Sequence, residues 1–272
     1  MKDFLQSFIA LSECIHNYKK EIGSNEDRVN TLEELARNSR CFIPQQFFNA
    51  MRMVDVRYFV VQFDELMEHA SKESGDSVES ILERPDVVSF AKDIIYSLKT
   101  PPPLGLSINE CCTDIVFDAL KYCLLDINPR DNVCEIASNN GYLPALIGVD
   151  ATSVTSFNLY SHIQGFPELS IIGAKYNGLG TITVVNDKTP YKKSLYSDKY
   201  SKSFSKIYSN VALNQGQYAQ CKKLLKLNGR MVVPVLDSSN DIMLILHLDG
   251  EDIELFDFVE PISILPGRSN LN

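Results

Sequence analysis

Apolar residues fall at three- and four-residue steps through the first third of the chain. Phe4, Phe8, Leu11, Ile15 and Tyr18 form one stripe, which predicts an amphipathic helix over residues 3–22. Gly23-Ser24-Asn25 ends it, and Ser24 or Asn25 offers an N-cap for a second helix. Val29, Leu32, Leu35 and Ala36 share a face of that second helix. Pro44 opens a third, from Gln45 to about Val56, with Phe47, Phe48, Met51 and Val54 inward. Proline suits a first helical turn, where its missing N–H has no partner to lose. Residues 64–84 are acidic and punctuated by serine, predicting helices around a loop at Gly75, and Val87, Phe90, Ala91, Ile94, Ile95 and Leu98 form a further stripe. Thr100-Pro101-Pro102-Pro103 reads as a linker, because three prolines continue neither helix nor ladder.

Beyond the prolines the rhythm changes. A helix over Asp114–Leu125 precedes short apolar runs that alternate with polar ones. Predicted strands are Asn132–Ile136, Ser153–Phe157, Gly180–Val185, Ser205–Tyr208, Arg230–Leu236 and Asp241–Leu248. Helices are predicted after Gly141, near Ser161 and at Gln215. Strand, turn and helix in alternation predict an α/β fold with a mainly parallel sheet. Only Ser238-Ser239-Asn240 separates the last two strands, so they are expected to be neighbours at a sheet end. The expected division is an N-terminal helical region, residues 1–100, packed on or extending an α/β domain of residues 101–272.

Charge narrows the partners. A net charge of −9 leaves no basic excess to neutralise phosphates, which argues against nucleic acid and anionic membranes. No apolar run of about eighteen residues predicts a membrane span. Asp3 and Glu13 interrupt the N-terminal apolar residues, unlike a signal peptide or mitochondrial presequence, so a cytoplasmic protein is expected. The seven cysteines are scattered without a C-x-x-C pair and the four histidines are isolated, which favours reduced thiols over disulfides or a metal site.

The candidate chemistry centres on Val133-Cys134-Glu135-Ile136-Ala137-Ser138-Asn139-Asn140-Gly141-Tyr142-Leu143, read as a buried strand, a tight turn and a helix. An acid near the strand end, small residues in the turn and glycine at the helix entrance suit a nucleoside ligand. Ala137 and Asn139 stand where a glycine-rich loop has glycine. Three other strand ends line up with this loop: Ser156-Phe157-Asn158, Asp187 after Val184-Val185-Asn186, and Ile207-Tyr208-Ser209-Asn210-Val211. An acid at the second strand's end commonly grips ribose hydroxyls; Asn158 keeps hydrogen bonds there without the charge.

Taken in order, these segments resemble the protein-L-isoaspartate O-methyltransferase family. Asn49 to Phe59 resembles its "A-M…(V/T)-D-R…F" helix, with Val56 separating Asp55 from Arg57. Leu106-Ser107-Ile108 resembles its "I-S-A-P" segment, with Asn109 replacing the proline. Asn132 to Leu143 corresponds to "V-L-D-(V/I)-G-S-G-S-G-Y-L", in which Glu135 keeps the acid. Leu224 to Val235 is similar to "L-K-x-G-G-R-L-(V/I)-x-P-(V/I)" and is the most specific match. The resemblance runs from about Pro44 to Pro266, with a helical insert near residues 64–99, and is closer still to the family's diverged, methyltransferase domain-containing branch.

The resemblance implies a Rossmann-like S-adenosylmethionine-dependent methyltransferase sheet with an antiparallel C-terminal strand. It implies transfer of a methyl group to an isoaspartyl carboxylate in a polypeptide, a protein-repair reaction. Ser107 would be the catalytic residue, bonding the substrate carboxylate. Glu135 would orient the loop or the methionine end of the cofactor, with Ala137, Ser138, Asn139 and Gly141 lining it. Asn158 would hold the ribose and Asp187 the adenine. The altered loop leaves an alternative open: a catalytically inactive methyltransferase-fold binding or adaptor module, a pseudoenzyme with a protein partner.

Overall fold

The computed structural model describes residues 1–56, 71–72, 75–77, 80–81, 84, 96–98, 115–136, 141–158, 182–186, 197–238 and 241–255. Among the described residues seven strands make one sheet: β1 (Asn132–Ile136), β2 (Ser153–Asn158), β3 (Ile182–Asn186), β4 (Phe204–Ser209), β5 (Leu225–Leu236), β6 (Ile242–Leu248) and β7 (Glu251–Leu255). Their order is β3-β2-β1-β4-β5-β6-β7. The first five run parallel; β6 pairs antiparallel with β5, and β7 antiparallel with β6. The mainly parallel α/β architecture read from the sequence is therefore present. The acidic strand β7 was not foreseen, because Glu251-Asp252-Ile253-Glu254 lacks the apolar alternation that marks a strand.

Helices cover both faces. α1 (Lys2–Asn17), α2 (Asn25–Asn38) and α3 (Gln45–Met53) come first, then α4 (Ile115–Leu125), α5 (Tyr142–Asp150) and α6 (Gln215–Leu224). α1 ends earlier than its stripe suggested, because Tyr18 is extended, with ψ 129. Ser24 caps α2 by accepting the Asp27 N–H at 3.1 Å. Asn214 and Gln217 form a reciprocal capping box on α6, which satisfies two donors that a helix start leaves orphaned.

α4 is apolar almost all round and buried almost all round. Phe8, Leu11, Leu32, Phe47 and Met51 from the first three helices join Leu120 and Leu125 of α4, Leu146 of α5 and Val133, Val154 and Val232 of the sheet in one cluster. On the opposite face Cys134, Ile136, Phe157, Ile207 and Met231 pack with Tyr218 and Cys221 of α6. Burial pushes the Cys41 thiol up to about 11 and the Cys221 thiol up to about 12, so both stay protonated and poorly nucleophilic. Arg52 of α3 ties that helix to α2, donating to Glu33 at 2.9 Å and to Asn30 at 3.0 Å.

β5 starts five residues before the predicted Arg230, through an irregular stretch. Its register slips against β4 between Phe204 and Lys206. Asn228 takes a left-handed φ of 60 there, and Leu227 stands 91% exposed. A Cβ on Gly229 would lie 2.6 Å from Leu225 Cγ and 2.9 Å from the Lys226 carbonyl oxygen. Gly229→Ala is thus expected to lower stability by about 1–3 kcal/mol, the usual cost of overpacking, seen as a lower urea midpoint. An unchanged midpoint would show that the bulge yields freely.

Asp252 of β7 joins three elements. It accepts from Tyr218 Oη at 2.6 Å and Lys222 Nζ at 2.6 Å on α6, and lies 2.6 Å from His247 Nδ1 on β6. Burial alone would raise its carboxyl, but the bonds from Lys222, Tyr218 and His247 outweigh it and hold the group below its ordinary value. A depressed carboxyl stabilises the fold above its unfolded pKa, about 3.9, and that contribution fades as pH falls through the folded value. About a third of the side chain is exposed, so solvent screening keeps the effect modest. Urea midpoints of the parent and Asp252→Asn should differ at pH 7 and converge as the pH drops below about 4. A gap independent of pH would remove the ionic explanation.

Candidate functional site

The sheet's order reverses at β1. The chain steps from β1 to β2 and β3 on one side, then returns to the other side with β4. In open parallel sheets the connections on the two sides diverge there, leaving a crevice beyond the carboxyl ends of the central strands. Ile136 at the end of β1 pairs with Phe157 of β2 and Ser209 of β4, so the three ends are level. Gly141 precedes α5 with φ 82 and ψ 2. A side chain is strained in that conformation, so the turn selects glycine. The first-turn N–H groups of a helix lack intrahelical partners, which favours an electron-rich ligand near that end.

Glu135 lies one residue from the end of β1 and is 0% exposed. Its register partners are Ser156 on β2 and Tyr208 on β4, which puts all three on one face of the sheet. Ser156 Oγ donates to one carboxylate oxygen, and Asn210 Nδ2, just past β4, donates to the other at 2.8 Å. Asn210 Oδ1 in turn accepts from Lys121 Nζ at 2.8 Å. The reversed amide would set oxygen against carboxylate and NH2 against ammonium, so both neighbours fix one orientation.

Lys121, on α4, is also 0% exposed. Its Nζ lies 3.1 Å from Asp118 Oδ1 and 4.5 Å and 5.5 Å from the ring centroids of Phe117 and Tyr208. A carboxylate, an amide oxygen and two aromatic rings compensate the lost hydration of the ammonium. Burial pushes the Glu135 carboxyl above its usual range, while Ser156, Asn210 and the Lys121 charge pull it back. The Tyr208 phenol is pushed up by burial and by the Glu135 charge beside it. Its hydroxyl has no hydrogen-bond partner of good geometry among the described residues.

The N-terminal helices reach the same place. Arg28 of α2, 4% exposed, donates from Nη1 to the Tyr142 hydroxyl at 3.0 Å, with its guanidinium carbon 5.4 Å from that ring's centroid. Tyr142 is the first residue of α5, directly after Gly141. At the far end of α5 the Asp150 carboxylate accepts from Tyr122 of α4. The helix that follows the candidate loop is therefore held at both ends by other helices.

Of the residues expected from the sequence, Glu135 and Gly141 flank the loop at the switch point. Asn158 closes β2, paired with Asn186 at the end of β3. Ser107, Ala137, Ser138, Asn139 and Asp187 lie outside the described residues. Sequence reasoning missed Lys121, Asp118 and Arg28. Their signal is a pair of opposite charges three residues apart inside an otherwise apolar helix, and an arginine next to the apolar stripe of α2. Among the described residues no helix is long and apolar enough to cross a membrane.

No family model matches the chain, and no curated protein sequence matches it. Solved structures do. A protein from Plasmodium falciparum, named as a candidate protein-L-isoaspartate O-methyltransferase and crystallised with S-adenosyl-L-homocysteine, superposes with a TM-score of 0.56 at 12% identity, covering 85% of this chain and 93% of that one. A second protein-L-isoaspartate O-methyltransferase gives a TM-score of 0.42 at 16% identity over 70% of this chain and 62% of that one. At 12% identity the first match establishes a shared fold, the Rossmann-like methyltransferase sheet.

Proposed function

We propose that the chain binds S-adenosylmethionine in the crevice beyond β1 and β4 and is a protein carboxyl methyltransferase of the isoaspartyl type with an altered cofactor loop. The observation that carries this reading is the pairing of Glu135 with Gly141. An acid lies one residue from the end of the strand and a left-handed glycine opens the helix, on either side of residues 137–140 at the switch point. The motif resemblance over Asn132–Leu143 and Leu224–Val235 supports the same reading.

The residues present fit such a ligand. Glu135 supplies a negative field beneath the turn, and α5 supplies free N–H groups at its head. Ala137, Ser138 and Asn139 would line the methionine end, Asn158 would hold the ribose and Asp187 the adenine. The bound cofactor supplies a methyl group on a cationic sulfur. Ser107 would hold the acceptor carboxylate, which is already ionised at neutral pH, so the site has no proton to remove. What remains for the protein is alignment and exclusion of water. Asn158 in place of an acid forgoes about 1–3 kcal/mol of charge-assisted bonding, and together with the altered loop this takes a micromolar site toward millimolar.

One observation favours a second reading, a binding module without turnover. Both oxygens of Glu135 already accept bonds from the protein itself, from Ser156 and Asn210. A tritium-transfer assay on an isoaspartyl peptide separates the two. Counts above background that fall in Ser107→Ala support the enzyme. Background counts despite measurable cofactor binding support the module.

A further inference from the structure

We infer that Lys121, buried under the crevice on α4, determines how the site discriminates between the cationic sulfonium cofactor and its neutral thioether product. This rests on the S-adenosyl reading above. A carboxylate at the end of β1 gives a site its electrostatic preference for a sulfonium, because the charge acts over distance even where no hydrogen bond is free. Here that carboxylate does not act alone. Lys121 Nζ and Glu135 grip the same amide, each 2.8 Å from one of the Asn210 side-chain atoms. Both groups are 0% exposed, so little solvent screens one from the other.

Asp118 completes the set, with Oδ1 3.1 Å from the ammonium. Lys121 places one positive charge among these carboxylates, and removing it makes their surroundings more negative by one charge. The ammonium thus offsets part of the field that would favour a positively charged sulfur. A thioether, having no charge, is indifferent to that field. Lys121 therefore acts on the ratio of the two affinities rather than on either ligand's contacts. The tilt runs toward product, the demethylated nucleoside.

The test is the ratio of dissociation constants for S-adenosylmethionine and S-adenosylhomocysteine, measured by equilibrium dialysis on the full chain. Lys121→Gln keeps a donor for the Asn210 oxygen and removes the charge. It should shift the ratio toward the sulfonium by about three- to tenfold, the size expected for one charge acting across a partly screened interior. Lys121→Met should shift it the same way, and Glu135→Gln the opposite way. Damage to packing lowers both affinities together and leaves the ratio alone, so each variant is informative while any of it folds; circular dichroism fixes that fraction. Two ligands bound by parent and variants with one common ratio would overturn the role of Lys121 and leave the S-adenosyl reading standing. A parent chain that binds neither ligand at millimolar concentration would overturn both.

Discussion

Phe47→Ala is expected to destabilise the protein by about 3–5 kcal/mol, the range for truncating a buried aromatic ring. Phe47 sits in the first turn of α3, is fully buried, and packs edge-on against Tyr122 of α4 with centroids 5.2 Å apart. Tyr122 donates to Asp150 at the end of α5, so the cavity would open between the N-terminal helices and the layer that carries the candidate loop. Urea unfolding should show one transition shifted to a lower midpoint. Phe42, only five residues away, is 73% exposed, and Phe42→Ala should move the midpoint by no more than about 0.5 kcal/mol. Two separate transitions in the Phe47→Ala protein, with only the first shifted, would instead show that the N-terminal helices fold as a unit of their own.

The second large effect falls on the buried charges. Lys121→Met should cost about 3–5 kcal/mol, because it removes the ammonium that faces the buried Asp118 and Glu135 carboxylates. The loss comes from the stranded partners more than from the pair itself, whose desolvation cancels much of its attraction. Adding Asp118→Asn should therefore restore part of the lost stability, although it removes a further contact. Guanidinium unfolding of the parent, the single and the double variant measures this directly. If Asp118→Asn lowers stability by the same amount in the Lys121→Met background as it does in the parent, the two groups do not act as a pair.

The scaffold was legible wherever local physics and tertiary packing agree. β1 spans the predicted Asn132–Ile136, and α6 begins at Gln215 because Asn214 and Gln217 spell a capping box. Gly141 was legible because a left-handed helix entrance has few other solutions. The early start of β5 was hidden, since Leu227-Asn228-Gly229 reads as a turn and becomes a bulge only against β4. The polar cluster was hidden for a different reason. Lys121 and Asp118 look like the wet side of a helix until Asn210 and the Tyr208 ring meet Lys121 from the sheet. Ser156 and Asn210 were noticed only as polar strand ends, and their meeting on Glu135 depends on the registers of β2 and β4 against β1. Sequence pattern finds which strand ends carry polar groups; it does not say which of them spend their hydrogen bonds on one another.

The proposed function requires that an adenosyl ligand fit between the end of β1 and the head of α5. Isothermal calorimetry with S-adenosylhomocysteine tests it without requiring turnover. Saturable one-site binding, weaker than micromolar and lost in Gly141→Val, is the predicted result. A flat titration at millimolar ligand, or binding that Gly141→Val leaves untouched, would contradict it.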